Sequence, residues 1–186
     1  MEKYTEKKIV MSKEEISRAV KRLAGEITDK NEGGKDLAIV GVQTRGVFIA
    51  KRIIEEIKNS GKYKGGEIPL GVIDITLYRD DVSSMETPPQ VKETDISFDL
   101  TGKKIVLVDD VLYTGRSIRA ALDELMDFGR PENIQLAVLV DRGLRELPIE
   151  PNFTGKKIAT SKKELISVEL EEVDGNDRVV LMETAT

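Results

Sequence analysis

The sequence predicts an α/β protein with a mostly parallel central sheet flanked by helices. Three observations carry this. Short apolar runs at residues 37–42, 105–108 and 134–140 lack polar alternation, as strands covered on both faces do. The segments between them hold apolar residues at helical spacing. Strands that alternate with helices close most readily as a parallel sheet with right-handed crossovers. At 186 residues, the chain suits a single domain spanning residues 1–186.

Each element has a local cause. Ser12 and Glu15 form a Ser-x-x-Glu capping box. Ile16, Ala19, Val20, Leu23 and Ile27 then recur on one helical face as far as about Lys30, and Gly33-Gly34 ends the helix. Residues 37–42 form a strand, Gln43-Thr44-Arg45-Gly46 a tight loop, and residues 47–59 a helix with Ile53, Ile54 and Ile57 inward. Residues 68–77 form a strand, and Pro69 assigns it to a sheet edge because proline cannot donate to a ladder. Residues 78–91 carry Asp80-Asp81, Ser83-Ser84 and Pro88-Pro89 and read as a long functional loop. A strand at 104–109 follows, then a helix at 117–128 that stops at Gly129 with Pro131 beyond. Residues 134–140 form another core strand, and short strands at 165–170 and 178–182 come last. Residues 141–160 show little apolar regularity. They are expected to form a small cap, or hood, over the strand ends, built partly from residues 141–170.

Composition narrows the chemistry. There is no Cys, His or Trp. Thiol nucleophiles, thiolate metal sites, disulfides and the commonest general base are excluded. Any catalysis must use carboxylates, arginine, lysine, backbone amides and a substrate-borne metal. Charged residues make up 34% of the chain with both signs mixed, and the net charge is -5. This predicts a cytoplasmic protein with no membrane span, whose nucleic-acid contacts would need a local basic face.

The most informative stretch is Ile-Val-Leu-Val-Asp-Asp-Val-Leu-Tyr-Thr-Gly-Arg-Ser, residues 105–117. A buried strand ends in paired carboxylates, and a short turn opens a helix. Ligands of open α/β sheets bind just past the carboxyl ends of such strands. Asp109 and Asp110 would accept hydrogen bonds from two neighbouring hydroxyls. The amides of Thr114, Gly115, Arg116 and Ser117 would meet an anion at the helix N-terminus, where N–H groups are unpaired. The hydroxyls of Thr114 and Ser117 add donors, and Gly115 allows close approach. The order implies a pocket for a sugar phosphate. An aspartate pair before an ordinary helix start, as in a receiver domain, is the plainer reading, but it leaves Thr-Gly-Arg-Ser unexplained. Thr44-Arg45-Gly46 follows another core strand and so reaches the same rim. Arginine there suits a diphosphate, since its planar fork matches phosphate oxygens and keeps its charge.

Residues 105–117 resemble the phosphoribosyl diphosphate (PRPP) motif of type I phosphoribosyltransferases. The resemblance implies a type I phosphoribosyltransferase-like fold. It implies that Asp109 and Asp110 hold the ribose hydroxyls and that Val111, Leu112, Tyr113, Thr114, Gly115, Arg116 and Ser117 hold the 5-phosphate. It assigns Thr44, Arg45 and Gly46 to the diphosphate, and Arg142 and Ile166 to substrate contacts. The loop opened by Tyr78-Arg79-Asp80-Asp81 would close over the reaction, with Arg79 on the leaving diphosphate. Asp109, Asp110 and Arg79 are thus the expected catalytic residues, and Mg²⁺ is expected to arrive with PRPP.

The likeness extends further. Val-Gly-Val-Gln-Thr-Arg-Gly, Asp-Ile-Thr-Leu-Tyr-Arg-Asp-Asp, Gly-Arg-Pro, Gln-Leu-Ala-Val-Leu-Val-Asp-Arg-Gly and Arg-Glu-Leu-Pro-Ile resemble the PyrR family of pyrimidine operon attenuation regulators with uracil phosphoribosyltransferase activity. The resemblance runs from about Ile16 to Arg178. It implies conversion of uracil and PRPP to UMP and diphosphate, binding of a hairpin in the pyrimidine operon mRNA leader when UMP is present, and a homodimer able to build tetramers or hexamers. Lys21, Arg22, Arg145 and Lys156 are the candidate RNA contacts. Leu144 stands where the family often has histidine, Glu150 where a basic residue is usual, and Gly25 where a polar or basic one stands. A nucleotide-sensing RNA regulator without turnover, and a phosphoribosyltransferase for a purine base, are the competing readings.

Overall fold

The computed structural model describes residues 4–75 and 94–185. Its elements are β1 (Tyr4–Met11), α1 (Lys13–Lys30), β2 (Leu37–Val42), α2 (Arg45–Asn59), β3 (Leu70–Ile73), β4 (Lys104–Leu112), α3 (Arg116–Asp127), β5 (Asn133–Asp141), β6 (Phe153–Lys157), β7 (Glu164–Glu169), α4 (Glu171–Asp174) and β8 (Arg178–Thr184). The loop expected over residues 78–91, with Arg79, lies outside the described residues.

The main sheet has five strands in the order β3-β2-β4-β5-β6. Every pair in it is parallel. β2 and β4 are central, so their apolar runs are covered on both faces. Val106 and Val108 of β4 join a core with α1 and α2. Ile105 and Leu107 join the opposite core with α3. Pro69 does lie at the sheet edge, where its carbonyl accepts the Ile39 N–H at 2.9 Å.

A second sheet of three strands, β1-β8-β7, is antiparallel and forms the hood. It packs on the main body through Met11, Ile166, Val168, Val179 and Leu181, which share the core of α1 and α2. Residues 4–11 form a strand although their polar run carries little strand signal, and one sequence expectation changes. Residues 153–157 form the fifth strand of the main sheet rather than part of a cap. Glycine at position 155 permits this, because a Cβ there would lie 2.4 Å from the Leu139 carbonyl oxygen.

The first helix begins as its capping box requires. Ser12 Oγ accepts the Glu15 N–H, and Glu15 Oε2 accepts the Ser12 N–H at 2.9 Å. Its apolar face, including Ile16, Leu23 and Ile27, is fully buried. Burying each such side chain stabilises the fold by about 1.5–3 kcal/mol before entropy is counted.

Candidate active site at the sheet rim

Parallel strands bring their carboxyl ends to one rim. β2 ends at Val42, β4 at Leu112 and β5 at Asp141, and Leu112 pairs with Asp141 across the sheet. The loops after these three strands therefore meet.

Asp109 and Asp110 are successive residues of β4, which runs three residues beyond the predicted strand end. Asp109 is 8% exposed and Asp110 is half-buried, with its charge acting on Arg45. Asp109 Oδ1 accepts the Asp110 N–H at 2.9 Å, and Asp110 Oδ1 accepts the Val111 N–H at 2.8 Å.

The Thr44-Arg45-Gly46 turn lies directly against this strand end. A Cβ on Gly46 would fall 2.5 Å from the Val108 carbonyl oxygen and 3.1 Å from Asp109 Cα. Only glycine lets α2 start so close to β4. The Gln43–Thr44 peptide is cis. Arg45 is one-third exposed and pairs with Asp174 of α4, Nε to Oδ2 at 3.1 Å and Nη2 to Oδ1 at 2.7 Å. That pairing, with the Asp110 charge nearby, holds the guanidinium above its ordinary pKa. Next to it, Arg52 bridges Glu172 and Asp177 and ties α2 to the hood.

The turn after β4 is shaped as an amide-lined loop. Gly115 has φ +93 and precedes α3. The Thr114 hydroxyl accepts the Arg116 N–H at 3.3 Å, while the N-cap position itself is Gly115, without a side-chain cap. Arg116 reaches Glu146 at 2.8 Å, and Ser117 is exposed. Leu112 is buried in the core, and its carbonyl accepts the Arg142 N–H at 3.0 Å. Val111 packs half-buried against the other core.

Arg142, an expected substrate contact, has its side chain engaged within the protein. It is 3% exposed. Its guanidinium donates to Thr160 Oγ1 at 2.9 Å, Ser161 O at 3.1 Å and Glu164 O at 2.6 Å, and lies 4.1 Å from the Tyr113 ring centroid. It fastens the start of β7 to the rim. Burial lowers its pKa. Ile166 points into the core, so only its backbone is available to a ligand. Among the described residues, β7 has a strand partner on one side only.

Of the four candidate RNA contacts, three share one flank. Arg22 of α1 donates to Thr154 O and Gly155 O of β6, and also pairs with Glu26. Lys156 of β6 donates to Val10 O at 2.8 Å and reaches Glu15 at 3.3 Å. Lys21 is exposed beside Arg22. Arg145 is not on that flank. Its side chain is 14% exposed and faces inward at the rim, engaged by Asp141, Tyr113, Gly143 and Ile149. Sequence reasoning missed Asp174 as an active-site neighbour. The Glu-Val-Asp-Gly-Asn-Asp run held the signal, but nothing local shows that it folds back over residue 45.

No helix among the described residues is long and apolar enough to cross a membrane. Among the same residues, no three His, Cys, Asp or Glu side chains gather as a metal cage.

The fold and rim define a phosphoribosyltransferase. The phosphoribosyl transferase domain family matches residues 8–172. The hypoxanthine phosphoribosyltransferase of Trypanosoma cruzi superposes with a TM-score of 0.73 at 15% identity, covering 97% of this chain and 98% of that one. That of Staphylococcus aureus gives 0.69 at 19% identity, covering 97% and 93%. At such identities these structures speak for the fold alone. The bifunctional protein PyrR of Thermus aquaticus is 57% identical over 174 residues, 94% of each chain. That of Deinococcus radiodurans is 51% identical over 177 residues, 95% of each. The chain belongs to the PyrR family.

Proposed function

We propose that the chain is an attenuation regulator of pyrimidine genes that also converts uracil and PRPP to UMP and diphosphate. The observation that carries the catalytic half is the meeting of Arg45, Asp109, Asp110 and the 113–117 loop at one rim. In this reading the loop amides bind the 5-phosphate, and Asp109 and Asp110 orient the ribose hydroxyls. Arg45 binds the diphosphate and stabilises the charge that builds on it as the C1–oxygen bond breaks. Removing one such positioned donor typically costs about 3 kcal/mol of barrier. Arg79 is assigned the same task from the sequence. When bound with PRPP, Mg²⁺ supplies further positive charge to the departing diphosphate. The carboxylates at the rim are hard oxygen donors of the kind that ion takes, and the substrate's own oxygens would bring the rest of its ligands. The backbone edge of β7 near Ile166 reads the base, and Arg142 positions that edge.

The macromolecular half uses the flank of α1 and β6. Lys21, Arg22 and Lys156 give it cationic groups for phosphates of the mRNA leader hairpin. UMP is the signal and the product. Self-association as a dimer, extendable to tetramers or hexamers, and a cytoplasmic location belong to the same proposal.

The test is release of UMP from labelled uracil and PRPP, with guanine and hypoxanthine as alternative acceptors. Turnover with uracil alone is expected. Nucleotide binding without turnover would make the chain a sensor, and turnover with a purine would reassign the base.

A further inference from the structure

We infer that Arg145 is a positioning residue for the nucleotide phosphate: it braces the 113–117 loop from behind so that the loop's amides face the cradle. The inference rests on the reading of that loop as the 5-phosphate site.

The geometry is specific. Arg145 Nη1 donates to the Tyr113 carbonyl at 2.8 Å. The next carbonyl, that of Thr114, accepts two amides from the same segment, Glu146 at 3.0 Å and Leu147 at 3.1 Å. The only cis peptide among the described residues is Gln43–Thr44, so both peptides here are trans. In a trans peptide the C=O and N–H point in opposite directions across one rigid plane. Holding the Tyr113 carbonyl toward Arg145 therefore turns the Thr114 N–H away from it. Holding the Thr114 carbonyl toward residues 146 and 147 does the same for the Gly115 N–H. Two successive amides are aimed by groups behind the loop.

Arg145 can do this because it is itself fixed. Nη2 donates to Asp141 Oδ1 at 2.7 Å, at the end of β5, and Nε donates to Ile149 O at 2.9 Å. Nη1 also reaches Gly143 O at 3.2 Å. The guanidinium thus joins the β5 end, both ends of the 143–149 segment and the phosphate loop. Lysine, with one point charge, cannot hold all these directions.

The test measures KM for PRPP, KM for uracil at saturating PRPP, and Kd for UMP in Arg145→Gln and Arg145→Lys. Glutamine is expected to raise the PRPP KM and UMP Kd about tenfold, consistent with loss of a charge-assisted hydrogen bond. The uracil KM is expected to stay within about twofold, because uracil carries no phosphate; lysine should fall about midway. Should the glutamine variant not fold, the lysine variant alone must show the phosphate-confined loss. Unchanged PRPP and UMP constants, or a uracil KM that rises equally, would overturn the inference. So would a loss of RNA affinity with normal nucleotide binding, which would mark a direct RNA contact instead. If the wild-type chain bound neither PRPP nor UMP, the failure would lie in the proposed function and not in the brace.

Discussion

Arg45 and Asp174 face each other across the junction between sheet rim and hood, joined by two parallel hydrogen bonds of 3.1 and 2.7 Å. Arginine has five N–H donors, and this fork engages two of them. The end edge of the guanidinium remains for a second anion. The same carboxylate accepts the Leu170 N–H at 2.9 Å, which fixes the start of α4. Asp174 therefore serves the hood and the Thr44-Arg45-Gly46 turn together. Asp174→Asn is expected to cost about 1–2 kcal/mol of stability at neutral pH, read from urea unfolding midpoints. A midpoint equal to wild type would show that the pair contributes nothing.

Asp110→Asn should leave the melting curve intact and cut UMP formation about a hundredfold or more. Its charge acts on Arg45, and the amide keeps size while losing charge. Near-normal turnover would remove Asp110 from the catalytic set.

Gly46→Ala should destabilise the fold by about 1–3 kcal/mol through overpacking. The added methyl meets backbone of β4, which cannot rotate away. Thermal unfolding measures it, and an unchanged Tm would mean that α2 slides freely along the sheet.

Lys21→Glu should weaken hairpin binding while leaving uracil turnover at wild-type level. If Lys21 meets one phosphate, the slope of log affinity against log salt should fall by about 1. An unaltered slope in a filter-binding titration would take Lys21 off the interface.

Glu164 should give the hood an acid-sensitive contact. Hydrogen bonds from the Ser161 backbone and Lys7 hold its carboxyl down to about 2, against an ordinary value of 4.5. A depressed folded-state pKa contributes stability that is present above the unfolded value and lost as pH falls through the folded one. Glu164→Gln should therefore lower stability at pH 7 and match wild type near pH 2. Parallel stability curves for the two proteins from pH 7 to pH 2 would contradict this.

Much of this fold is legible in the chain because its determinants are local. The capping box at Ser12, the all-apolar run of β2 and the edge-forming Pro69 each act within a few residues. The strand, acidic pair and glycine turn of residues 105–117 are equally local, and the rim forms where they place it. The hood's first strand was missed because β1 is specified by its partner β8, at the other end of the sequence. The partners of Arg142 and Arg145 are hidden for a related reason. An arginine beside a rim motif looks available to a ligand until its partners are known, and theirs are Thr160, Ser161 and Glu164 for one, Tyr113 and Ile149 for the other. Asp174 was hidden in the same way, since only tertiary folding carries it to Arg45.

The pairing of β1 with β8 also orders events during synthesis. Residues 4–11 leave the ribosome before the main sheet, yet their strand partner at 178–184 emerges after it. Domains begin to fold from the N-terminal side as they appear. A nascent chain can thus assemble the five-stranded sheet while β1 hangs unpaired, and the roof over the rim closes after that sheet.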